Sequence, residues 1–92
     1  MSNIKVLKAQ LETTIKALEL KLQRSNEPTL KQYLERYKNT LKAIESGSSE
    51  VEINKHARKL LNCARGYMET STNYQQNFLT EMGKTEKVVK QL

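Results

Sequence analysis

The chain has 92 residues, 28% charged and 37% hydrophobic, and its 16 Lys and Arg against 10 acidic residues leave a net charge of +6. One domain over residues 1–92 is expected at this length, with a thin core, since so short a chain buries only about 60–65% of its unfolded surface. Every acidic residue is Glu and the branched aliphatic residues are mostly Leu, with few Val and Ile, which favours helix and argues against a sheet.

Residues 4, 7, 11, 15, 18 and 22 (Ile, Leu, Leu, Ile, Leu, Leu) advance in steps of three and four. They trace one face of a helix over about 3–24, with Ser2 or Asn3 as its cap. Val6 and Leu20 lie off that stripe and are read as widening the face toward two neighbours. Ser25-Asn26-Glu27-Pro28 ends the segment. Pro28 belongs to the first turn of the next helix, with Asn26 as the expected N-cap.

The second helix, about 27–46, carries Leu30, Leu34, Tyr37, Leu41 and Ile44 at heptad spacing and stops at Gly47, a residue suited to a left-handed C-terminal position. Ser49 and Glu52 form a capping box for a third helix. Its face is Ile53, Ala57, Leu60, Ala64 and Tyr67. Thr70-Ser71-Thr72-Asn73 are poor helix formers and good cappers, so a fourth helix is expected over about 73–91, with Phe78, Met82, Val89 and Leu92 turned inward. The fold expected is an all-α up-down bundle of four helices, about 3–24, 27–46, 50–70 and 73–91. The alternative has three, with one long helix 50–91, roughly 63 Å at 1.5 Å per residue, whose far half would need a partner chain.

Catalytic chemistry is not expected. His56 and Cys63 are seven residues apart on one helix, about 10.5 Å along its axis, too far for a thiol and its base. Chelation fails too, since no other His or Cys completes a metal set. Gly47, Gly66 and Gly83 stand singly, so no phosphate loop exists. Glutamates precede lysines by four residues at Glu12–Lys16, Glu27–Lys31 and Glu86–Lys90, the spacing of surface pairs. No catalytic residue, metal or cofactor is assigned.

Binding is the remaining class. Tyr67, Met68, Asn73, Tyr74, Asn77 and Phe78 fall in a stretch whose 70–80 core has no charge, and an aromatic-bearing, polar but uncharged surface suits a protein interface. Protein–protein binding, as adaptor, inhibitor or regulatory accessory, is the function expected, with a homodimer among the options. Lys55, Arg58, Lys59, Asn62 and Arg65 gather on one side of the third helix. They support the alternative, a basic nucleic-acid-associated accessory protein. As a distant third, His56 followed by Lys59 resembles the His-x-x-Lys of histidine phosphotransfer domains, small four-helix bundles that carry phosphate on an exposed helical His. Leu60 departs from that pattern, which has a small residue there.

No apolar run approaches the ~20 residues a bilayer requires, so no membrane role is expected. The N-terminal residues lack the apolar stretch of a signal peptide. Cys63 has no intramolecular disulfide partner, which suits a reducing compartment, and the location expected is the cytoplasm.

Overall fold

The computed structural model describes residues 3–61, 63–70 and 77–92. It is all-α: α1 (Asn3–Arg24), α2 (Pro28–Glu45), α3 (Glu50–Arg58), α4 (Cys63–Thr70) and α5 (Asn77–Lys90), with no strand among the described residues. α1 lies between α2 and α5, α3 packs on α2, and α4 touches both α2 and α5. The molecule measures 37 × 21 × 19 Å. That rules out an unbroken helix from 50 to 91, as does the 5.2 Å between the ring centroids of Tyr67 and Phe78, which eleven helical residues would hold about 16 Å apart.

The termini of the helices follow local chemistry. The residue preceding α2 is Glu27, not Asn26, and its side chain makes no cap hydrogen bond. Pro28 needs no donor at the first helical position, which fixes the start. The Tyr67 hydroxyl donates to Glu27 Oε1 at 3.2 Å, and a carboxylate here sits at the positive end of the α2 dipole. At the other end of α2, Ser48 N–H reaches Ala43 O at 3.1 Å and Gly47 N–H reaches Ile44 O at 3.2 Å. This is a Schellman closure, and Gly47 supplies the left-handed residue it needs with φ +75°. Ser49 caps α3 by accepting from Glu52 N–H at 3.3 Å.

The expected third helix comes as two segments. Between them Lys59, Leu60 and Leu61 donate to His56, Ala57 and Arg58, each three residues back, and Cys63 donates to Leu60. A stretch wound at about three residues per turn keeps Leu60 and Cys63 on one face. The buried row therefore runs Ile53, Ala57, Leu60, Cys63, Tyr67, with Cys63 where heptad counting placed Ala64. α4 meets α2 closely at Gly66, where a Cβ would lie 2.8 Å from the Tyr33 hydroxyl.

The core takes Leu7, Leu11, Ile15 and Leu18 from α1, Leu30, Leu34 and Tyr37 from α2, and Phe78, Leu79, Met82 and Val89 from α5. Leu41 and Ile44 are half-buried at its edge, while Leu92 is exposed rather than inward. Thr14, Thr40 and Thr85 are fully buried as well. Thr14 and Thr85 join α1 to α5 with their hydroxyl oxygens 2.8 Å apart. Gln10 Nε2 donates across the same contact to Glu81 Oε2 at 2.9 Å. Glu81 is consequently not an outer-face glutamate: its side chain is 14% exposed.

Candidate functional site

Tyr67 and Phe78 do not form a surface. They are 4% and 3% exposed, their rings meet edge to face, and the contact closes α4 on α5. A wet tyrosine hydroxyl over a buried ring, the sign taken for an interface, serves here to anchor Glu27 within the chain. Asn73 and Tyr74 lie outside the described residues, as do the side chains of Met68 and Asn77.

Of the basic face, Lys55, Arg58 and Lys59 are exposed, Asn62 lies outside the described residues, and Arg65 is exposed on α4. The first three share the outer side of α3 with Val51, which is 75% exposed. They cluster at the helix's C-terminal end, where cations complement the dipole.

His56 is half-buried and lines a shallow groove with Asn39, Lys42, Ala43, Ser46 and Ser48. Cys63 is buried, donates to Lys59 O at 3.5 Å and accepts from Arg36 Nη1 at 3.7 Å. Burial raises its pKa, with Arg36 acting in the opposite sense, so the thiol stays protonated and is a weak nucleophile. The neighbouring Tyr37 hydroxyl is also raised, first by desolvation and then by Cys63 and Glu86. It has no hydrogen-bond partner among the described residues. Among those residues no three His, Cys, Asp or Glu are gathered to hold a metal ion.

The sequence reading missed the outer face of α1. Val6 and Leu20 do not widen the buried stripe, being 42% and 57% exposed. At 100° per residue they fall, with Ala9 and Thr13, in a band about 60° wide opposite Leu7, Leu11 and Leu18. Ala9 and Thr13 are exposed too. The Thr13 hydroxyl donates to Ala9 O at 3.1 Å, which satisfies its polar atom and leaves its methyl group to the surface. Lys5, Val6, Ala9, Gln10 and Thr13 line a shallow groove here. The signal was available in the spacing 6, 9, 13, 20, a second helical stripe behind the first.

Fold and surface together define a small all-α bundle, closed around one core, whose first helix is apolar on two opposite sides. The chain belongs to the YeeD family, described as YeeD uncharacterised protein, whose model matches residues 2–92. It is 32% identical over 90 residues to the uncharacterized protein YeeD of Bacillus subtilis (strain 168), an alignment covering 95% of this chain and 89% of that protein. No solved structure matches it. No helix among the described residues is long and apolar enough to cross a membrane.

Proposed function

We propose that this chain is a non-catalytic binding protein that docks another protein on the outer face of α1, as an adaptor, inhibitor or regulatory accessory. The observation that carries the reading is the row Val6, Ala9, Thr13, Leu20, exposed on a helix whose opposite side already supplies the core. Isolated exposed apolar residues are ordinary on any protein surface. Four aligned at helical spacing form a seam, and small residues at its middle admit a second helix at close range.

A photoreactive phenylalanine analogue at Leu20, and separately at Val6, tests the reading in living cells, with the exposed Gln32 of α2 as the control position. A protein adduct specific to positions 6 and 20 is expected. No adduct, or the same adducts from Gln32, would refute docking on this face.

A second reading, an accessory on nucleic acid, has the shared exposure of Lys55, Arg58 and Lys59 in its favour. It requires a salt-sensitive mobility shift of DNA or RNA that charge reversal at Arg58 and Lys59 removes.

A further inference from the structure

We infer that the partner this face fits is a second copy of the same chain, with the two α1 helices packed antiparallel about Thr13. The inference rests on the binding reading above and names its occupant. A two-fold interface must be self-complementary: if residue i faces residue j, then j faces i. The α1 seam has that property. About a dyad at Thr13, residue n lies level with residue 26 − n of the other copy, so Val6 faces Leu20 and Thr13 faces itself, with the small Ala9 between them. The large side chains stand at the two ends and the small ones at the centre. Each bulky residue meets a bulky one, and the backbones approach most closely in the middle.

Charge follows the same symmetry. Lys5, Glu12, Lys16 and Glu19 all lie along one flank of the seam, and all are exposed. A dyad perpendicular to the helices keeps that flank against its own copy. Lys5 then stands two residues, about 3 Å, from the level of Glu19 in the other chain, and Glu12 stands equally far from Lys16, within the reach of these long side chains. Each pair occurs twice, giving four ion pairs against a single Glu12–Glu12 approach at the same offset.

A parallel pairing sets this flank against the opposite one, which carries Gln10, Ala17, Lys21 and Arg24. Only Glu19 would then find an opposite charge, at Lys21 two residues on. Antiparallel helices also oppose their dipoles favourably. Within one chain Glu19 pairs with Lys38 at 3.6 Å, but both are about half-exposed and such surface pairs exchange readily.

The seam of one helix is a small interface, so a weak dimer is expected, with dissociation in the micromolar range or above. Sedimentation equilibrium of the purified full-length chain over about 10–500 µM reads it directly. Leu20→Glu, which buries a charge at both ends of the seam, should leave only monomer. Lys5→Glu sets two repulsive pairs in place of two attractive ones and should weaken the dimer by about tenfold, as should Glu19→Lys. The double variant Lys5→Glu/Glu19→Lys exchanges the charges and should restore wild-type association. All three positions are on the surface, and unchanged far-ultraviolet circular dichroism verifies that each variant folds.

A chain monomeric across the whole range, a dimer indifferent to Leu20→Glu, or a double variant no tighter than the singles would overturn the inference. Its failure is separable from that of the docking reading. A monomeric chain whose residue 20 cross-links to a different protein in the cell overturns only self-pairing, whereas no adduct at residue 20 together with a monomeric chain overturns both.

Discussion

The α1–α5 contact is held by a polar link inside an apolar seam, and a double-mutant cycle on Thr14 and Thr85 tests what that link contributes. The two hydroxyl oxygens are 2.8 Å apart. Thr14 can also donate to Gln10 O at 2.9 Å, and Thr85 to Glu81 O at 3.1 Å. Each hydroxyl has one hydrogen, so one threonine donates to the other and the second donates to a carbonyl. Thr14→Val removes the link but leaves Thr85 the Glu81 carbonyl, so no donor is orphaned. The cost is one buried hydrogen bond, about 1 kcal/mol. Thr85→Val removes the same bond and costs the same, because Thr14 keeps the Gln10 carbonyl. The double variant has no hydroxyl left, so it loses both donated bonds, the link and the remaining one to a carbonyl. It should therefore cost about 2 kcal/mol, the sum of the two singles. Urea unfolding followed at 222 nm measures all four proteins. In melting temperature each single variant should fall by about 4–8 °C. A double variant no less stable than either single would refute this count, because it would show that the remaining hydroxyl gains nothing from its carbonyl.

Tyr37→Phe should stabilise the fold by about 1 kcal/mol, read as a higher urea midpoint, because it removes a buried hydroxyl that lacks a partner among the described residues; a lower midpoint would refute this. The Glu81 carboxyl is held below its usual range, first by the Gln10 amide and then by Lys84. As the pH falls the unfolded chain takes up this proton before the folded one, so the stability from Glu81 is present above the ordinary carboxylate range and is lost on acidification through its lowered folded value. Glu81→Gln should flatten the urea midpoint between about pH 6 and pH 3, and an unchanged slope would refute it. Gly47→Ala, at φ +75°, should cost about 1 kcal/mol. Gly83→Ala, in mid-helix with nothing within 4 Å of a new Cβ, should gain about 0.5–1 kcal/mol by thermal melting.

The strongly periodic parts of the fold were readable because each is dictated by a few adjacent residues. The Leu7–Leu11–Ile15–Leu18 face, the Gly47 stop and the Ser49 cap are of this kind. The division between α3 and α4 was not, since Leu60-Leu61 and Cys63-Ala64 offer apolar residues to both an α-helical and a tighter winding. Thr14, Thr40 and Thr85 occupy core positions that hydropathy assigns to the surface, and only the partner hydroxyl or carbonyl on the packed element makes their burial tolerable. Helical spacing turns Tyr67 and Phe78 inward, as found, whereas their polar sequence neighbours suggest an interface that these two buried rings do not form. Their burial follows from α5 folding back on α4, a long-range event that composition does not encode.

The two faces of α1 bear differently on function. Changing Leu7, Leu11 or Leu18 removes core contacts, so lost binding in such variants would report unfolding. Changing Val6, Ala9, Thr13 or Leu20 removes groups whose exposure the fold already accepts. Leu20→Glu should therefore lie within about 0.5 kcal/mol of wild type in stability, as ordinary surface substitutions do. For an isolated chain that substitution would be a gain in solubility. A chain that carries Leu20 at 57% exposure beside Val6 on the same line keeps apolar area that the fold does not use, and the proposed partner would cover this line. On the proposed reading, the outer face of α1 is thus where substitutions would abolish binding without touching folding.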